Sequence, residues 1–236
     1  MAGLVVPEGL AAHGRGEAFD YILGERTTEQ AKRAIEAAAA MLLLAKRPVI
    51  SVNGNVAALV PDEIIKLAKA TGAKLEVNLF HSSRKRELAI ARWLRTRGAK
   101  GVLGTDRKFS TRIKEVHSGR RKVDRRGIAA ADVVLVPLED GGRTKALKKL
   151  GKRVIAIDLN PMSRTAQAAD VTVVDNIVRV LPLMNKAIRC ATHRPRATLR
   201  DLLRNFDNET NLTTTLGVML ERLEKMSRDA NAYRLI

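Results

Sequence analysis

The residues of this chain that can do chemistry gather where apolar runs end. Asn53, Gly54 and Asn55 close one run, Glu139 and Asp140 another, and Asp158, Leu159 and Asn160 a third, with Arg164 and Thr165 one turn further on. An open parallel sheet presents its ligand contacts at such carboxyl ends. A carboxylate there accepts from ribose hydroxyls, and an amide donates and accepts. A guanidinium and a hydroxyl near a helix N-terminus meet phosphate oxygens. The chemistry implied is the binding of a nucleotide-sized ligand.

Each cluster also has a plainer reading. Asn160 followed by Pro161 is an ordinary helix start, the amide capping and the proline in the first helical position. Gly54 between two amides is a cradle for an anionic group or a simple strand-to-helix turn. Glu139 and Asp140 hold a cation or an ammonium group, or cap the following helix. GLAAHGRG, from Gly9 to Gly16, nearly spells a phosphate-binding P-loop, but Arg15 replaces the lysine and Gly16 removes the hydroxyl that would ligate magnesium. It is rejected as a P-loop, while Arg15, followed by Glu17 opening a helix, remains an anion-binding candidate. His13, His81, His117 and His193 occur singly and read as structural. No GxGxxG supports nicotinamide chemistry.

The elements that must position these residues follow from periodicity. Apolar runs bounded by turn residues predict strands near Val49 to Val52, Leu75 to Phe80, Gly101 to Gly104, Val133 to Leu138, Val154 to Leu159 and Val171 to Val174. Thr27 and Gln30 have the spacing of a capping box before an alanine-rich helix to Ala45. Further helices are expected after Val56, from Ser83 to Thr96, and from Thr144 to Leu150 before Gly151. Strands alternating with helices give an α/β class, three layers α/β/α about a mainly parallel sheet. After Asn176 only helical patterns remain. The expected organisation is therefore an α/β domain over residues 1–180 and a helical C-terminal extension over 181–236. Leu216, Met219, Leu220 and Leu223 form a one-face stripe, read either as packed on its own core or as a contact between copies. Phe109 to Gly127 and Thr192 to Pro195 read as linkers.

Composition bounds the rest. The chain has 236 residues and one cysteine, Cys190, so no intramolecular disulfide forms, which points to a reducing cytoplasm. No Cys/His cluster has metal-site spacing, and no protein metal site is expected. The longest apolar run, Ala37 to Ala45, is far short of the roughly 20 residues that span a bilayer, so no membrane partner is expected. No secretory leader opens the chain, and the glycosylation-like triplets at Asn208 and Asn211 are read as chance. The formal net charge is +18, and residues 84–126 hold sixteen Lys/Arg against four Asp/Glu. Such a field attracts nucleic acid or polyanionic small molecules. With seven aromatics and no recognised DNA-binding module, charge alone supports the alternative of a basic nucleic-acid-associated protein on a nucleotide-binding scaffold.

The runs AHGRGEAFDYILGERT, PVISVNGNVAALVP, GAKLEVNLF, GIAAADVVLVPLEDGGRTKAL and RVIAIDLNPMSRTAQAADVTVVDNIVR, from Ala12 to Arg179, closely resemble the archaeal phosphopantothenate synthetase family. These are ligases that join 4-phosphopantoate to beta-alanine in coenzyme A synthesis. The resemblance implies a Rossmann-like fold, ATP as substrate, a magnesium requirement, an acyl-adenylate intermediate with release of pyrophosphate then AMP, and a homodimer. It carries ATP contacts onto Arg15, Asp158, Leu159, Asn160, Arg164, Thr165, Asn176 and Ile177. Beside predicted strand ends, Asn53, Gly54 and Asn55 are the expected phosphopantoate site, with Arg120 and Lys122 as phosphate partners and Glu139 or Asp140 orienting beta-alanine. Family members are similar in carrying a further helix, with another ATP-contacting arginine, before the Ala12 segment. This chain begins almost at that segment, so its start is expected to be truncated or misassigned. The basic stretch from His81 to Lys100 departs from the mixed charge of typical members.

Overall fold

The computed structural model describes residues 3–116, 118–138 and 140–229, so His117 and Glu139 lie outside the described residues. In chain order the elements are α1 (Pro7–Leu23), α2 (Glu29–Leu44), β1 (Pro48–Val52), α3 (Gly54–Leu59), α4 (Pro61–Thr71), β2 (Lys74–Val77) and α5 (Arg84–Thr96). A short hairpin of β3 (Ser110–Arg112) and β4 (Lys122–Asp124) follows. Then come β5 (Val133–Pro137), α6 (Gly141–Lys149), β6 (Arg153–Ile157), α7 (Arg164–Ala168), β7 (Val171–Val173), α8 (Ile177–Ala191), α9 (Arg196–Arg204) and α10 (Asn208–Arg228).

Five strands form one parallel sheet in the order β2-β1-β5-β6-β7. Alternate side chains enter opposite cores, as a two-residue period requires. Ile50, Leu135 and Ile155 join α2, α4, α5 and α8 on one face, while Val49, Val134 and Val154 meet Leu147 of α6 and Ile113, Val123 and Ile128 of the hairpin region on the other. The three-layer α/β architecture expected from the sequence is therefore present. The chain leaves β1 for β2 in one direction and later builds β5, β6 and β7 in the other. The strand order thus reverses between β1 and β5, and the crevice at such a reversal is where open sheets bind ligands.

Several local expectations are corrected. Thr28 caps α2, accepting from Ala31 N at 3.1 Å, whereas Thr27 Oγ1 donates to Asp175 at 2.6 Å. A threonine at either position serves locally, and the distant carboxylate decides between them. Gly101 to Gly104 forms a single bridge, Leu103 to Glu76, because glycines at φ 63 and 90° bend the chain away on both sides. The segment read as a linker from Phe109 folds as the hairpin. The helix expected to open at Glu17 begins at Pro7 and runs through Gly9, Gly14 and Gly16, starting on its proline and ending at left-handed Gly24. Asn160 does not start a helix. Its Oδ1 accepts from Met162 N at 2.9 Å, and Ser163 caps α7. Asn208 and Asn211 tie α10 to the sheet edge, bonding Thr172 through N and O respectively.

The hairpin is pinned by one buried acid. Glu76 on β2 accepts from Asp124 N at 2.9 Å and Ile128 N at 2.6 Å, and Gly127 leaves it the space a Cβ would fill. Burial pushes its pKa from 4.5 up to about 7, against the pull of those two amides. Below pH 4.5 both the folded and unfolded chains hold this proton. As pH rises towards 7 the unfolded carboxyl ionises first, so stability falls across that window by roughly 3 kcal/mol. Urea midpoints at pH 5 and pH 8 should therefore drop for the natural chain relative to Glu76→Gln. Parallel pH dependence in the two proteins would refute it.

Candidate functional site

The carboxyl ends of four neighbouring strands open into one cavity of about 880 Å³, roofed by the first half of α1. Its wall takes Asn53, Gly54 and Asn55 from the end of β1, Leu79 to His81 from beyond β2, Leu138, Asp140 and Gly141 from beyond β5, and Asp158 to Asn160 with Ser163 to Thr165 from beyond β6. Its volume lies in the range of small-ligand and cofactor sites.

Two parts of the wall differ in chemistry. At the β6 end Asp158 accepts from Asn160 N at 3.0 Å and from the Ser163 hydroxyl at 2.5 Å. Burial raises its pKa above the ordinary carboxylate value, opposed by those two bonds and by Arg15. Arg15 and Arg164 face the same space, from α1 and from the first position of α7. A Cβ on Gly141 would overlap Arg164, so only glycine lets α6 rest against the start of α7 and fix where that guanidinium begins.

At the β1 and β5 ends the amides are engaged. Asn53 caps α3 by accepting from Val56 N and donates to Pro137 O and Leu138 O, both at 3.0 Å, which closes the crevice floor. Asn55 Nδ2 donates to Gly9 O at 3.0 Å and holds α1 down. Asp140 caps α6 through Arg143 N at 2.9 Å, and its other oxygen lies 3.3 Å from Arg120 Nε. Arg86 adds a guanidinium that sequence reasoning missed. It donates to His81 O and to Leu4 O, its Nε is buried without a hydrogen-bond partner among the described residues, and burial lowers its pKa against the pull of Glu8. The signal for it was Ser83, whose cap puts Arg86 in the first turn of α5 beside the β2 end.

Other expected residues stand apart from the wall. Lys122 bonds both Glu87 oxygens, at 2.9 and 3.0 Å. Asn176 and Ile177 begin α8 beneath α1. There Asn176 Nδ2 donates to Glu17 at 3.0 and 3.1 Å and to Asp20 at 2.9 Å, and Arg179 joins Asp20 to Asp175. The cavity roof is thus stapled to α8 by a polar network. Among the described residues no group of three or more His, Cys, Asp or Glu side chains is arranged to hold a metal, and no helix is long and apolar enough to cross a membrane.

A profile of the phosphopantothenate/pantothenate synthetase family matches residues 30–222. The chain is 51% identical over 226 residues to a 4-phosphopantoate--beta-alanine ligase of Thermococcus onnurineus, covering 95% of this chain and 86% of that protein. A protein of the same name from Methanosarcina mazei is 47% identical over 227 residues, covering 96% and 88%. One from Methanospirillum hungatei is 54% identical over 179 residues, covering 76% and 72%.

Proposed function

The chain belongs to the phosphopantothenate/pantothenate synthetase family, and from that premise we propose that it condenses 4-phosphopantoate with beta-alanine at the cost of ATP, yielding 4'-phosphopantothenate, AMP and pyrophosphate. The observation that carries this reading is the cavity at the strand-order reversal, into which Arg15, Arg86, Arg120 and Arg164 all face. Two polyanions must meet there. A carboxylate oxygen of phosphopantoate attacks the α-phosphorus of ATP, the bond to the β-phosphate breaks, and pyrophosphate leaves. Guanidinium groups fixed in advance lower this barrier by neutralising charge as it concentrates. The amine of beta-alanine then attacks the acyl carbon and expels AMP. No protein nucleophile is required, so the protein's work is alignment and charge neutralisation.

In this reading ATP occupies the β6 side, against Arg15, Asp158, Leu159, Asn160, Arg164 and Thr165, with Asn176 and Ile177 supporting the roof from below. Phosphopantoate occupies the side of Asn53, Gly54 and Asn55, its phosphate on Arg86 and Arg120. Lys122 acts from behind by holding Glu87, and Asp140 faces the beta-alanine ammonium. Magnesium would be held by the triphosphate oxygens and would supply further charge neutralisation beside Arg15 and Arg164. Incubation with the three substrates should give AMP and pyrophosphate in equal amounts. Formation of ADP, or no turnover, overturns the proposal. Arg86→Met should raise KM for phosphopantoate about a hundredfold, the scale of one lost charge-assisted pair, and leave KM for ATP within a fewfold. An equal rise for both substrates would count against this division of the cavity.

We also read the enzyme as a homodimer in the cytoplasm. Met219 of the α10 stripe is buried, but Leu216, Leu220 and Leu223 are 36, 58 and 46% exposed on one face, the side a second copy would cover. Leu220→Glu should convert the protein to monomers in sedimentation, and a natural chain that already sediments as a monomer refutes the assignment. The single cysteine, exposed on α8, fits a reducing compartment, which cell fractionation checks.

A further inference from the structure

The amide-forming step needs a proton acceptor that the residues assigned so far do not supply. Beta-alanine is a primary alkylammonium, which holds its proton to about pH 10, so roughly one molecule in a thousand is a free amine at pH 7. The cavity carboxylates beyond β5 and β6 are engaged, Asp158 by Ser163 and Asn160 and Asp140 by Arg143 N and Arg120. Two imidazoles face the same space, His13 and His81. His81 stacks edge-on with Phe80, their centroids 4.9 Å apart, and forms no ion pair among the described residues. His13 differs. Its Nε2 lies 3.0 Å from Glu17 Oε1 one turn along α1. Glu17 in turn accepts from Asn176, which Asp20 and the first turn of α8 hold in place. The ring therefore lies against a chain of polar contacts rooted in the protein interior, with a carboxylate beside one ring nitrogen. Nε2 is the ring nitrogen beside Glu17, and a proton held there would leave the lone pair of the neutral ring on Nδ1.

We infer that His13 is the general base of the amide-forming step, with Glu17 and Asn176 as its positioning residues; the inference rests on the ligase reading above. Nδ1 takes one proton from the beta-alanine ammonium, and the freed nitrogen lone pair forms the bond to the acyl carbon. As the tetrahedral adduct collapses, the bond from that carbon to the phosphate-bridging oxygen breaks and AMP leaves with the electron pair. The second proton shed by nitrogen goes to a phosphate oxygen of AMP. The imidazolium, steadied by Glu17, returns its proton to water. The charges around the ring are Arg15 and Glu17 on α1, Asp158 and Arg164 beyond β6, and the Arg120–Asp140 pair from the β4 and β5 side. Arg86 and His81 on the α5 side and Glu8 on α1 complete the set. Each can bend a pH profile, so the profile is read as a difference between variants.

The test separates the two half-reactions. Exchange of labelled pyrophosphate into ATP, supported by phosphopantoate without beta-alanine, reports adenylate formation. AMP release on adding beta-alanine reports amide formation. His13→Asn should leave exchange within twofold and slow amide formation about a hundredfold, the range of a lost general base. Its deficit should shrink as pH rises from 7 to 9, because the free amine grows tenfold per unit. Glu17→Gln, which keeps an oxygen to accept from Asn176, should give a smaller loss in the same step and a displaced pH profile, with exchange at saturating ATP preserved. Equal losses in both half-reactions, or a His13→Asn deficit that stays constant with pH, overturn the inference and leave the ligase reading intact. A natural protein that forms neither AMP nor pyrophosphate overturns both.

Discussion

Arg179→Ala is expected to remove about 3 kcal/mol of folding stability, the lower end of what breaking a buried ion pair costs. Arg179 donates to Asp20 and Asp175, whose side chains are 6 and 0% exposed, while its own is 25% exposed. Removing the guanidinium leaves two carboxylates facing each other in a site that water barely reaches. The remaining donors, Thr27 Oγ1, Asn176 N and Asn176 Nδ2, satisfy only part of their hydrogen-bonding capacity. Arg179→Lys should recover part of the loss, since an ammonium restores charge but not the planar fork. Because the same network staples α1 over the cavity, ATP affinity should fall in step. Urea denaturation of the three proteins decides it, and a loss below about 1 kcal/mol, the worth of an exposed pair, would show that this network carries little of the fold.

Arg164→Ala should slow adenylate formation about a thousandfold, the upper range for removing one preorganised charge from a developing oxyanion. The side chain lies at the first position of α7, is exposed to the cavity, and makes no hydrogen bond or ion pair among the described residues. The cap belongs to Ser163, so folding should be unchanged. Arg164→Lys should recover only part of the rate, because a point charge cannot engage two phosphate oxygens in one plane. Pyrophosphate exchange measures the effect directly. A change of less than threefold would remove Arg164 from the reaction and move the ATP phosphates towards Arg15 alone.

Much of the scaffold was legible in the chain because burial on both faces of a parallel sheet leaves an unmistakable record. Residues 133–137 and 154–157 are unbroken apolar runs closed by polar turns, and they lie in β5 and β6. Their rim residues Asp140, Asp158, Asn160 and Thr165 line the cavity because a strand that ends must hand the chain to solvent at that edge. Where local signals competed, the sequence misled. Gly9 to Gly16 reads as a near-miss P-loop ahead of a helix opening at Glu17, yet the segment is itself helical. Pro7 starts that helix, and Asn55 and the α8 network supply contacts that outweigh the weak propensity. The basic segment from Phe109 read as a linker because its anchor, Glu76, is distant in sequence.

What the sequence by itself determined is the five strands of the parallel sheet and the polar rims where they end, because those depend on patterns a few residues long. Which rims face one another was decided only in three dimensions. The reversal between β1 and β5 brings Asn53 against Leu138, the turn before α5 swings Arg86 inward, and α1 folds back so that Arg15 and His13 overlook the sheet. Lys122, a near neighbour of Arg120 in the chain, turns instead to Glu87. These contacts join residues dozens to more than a hundred positions apart. Their energies come from shared burial and paired charge, which no short window of sequence contains.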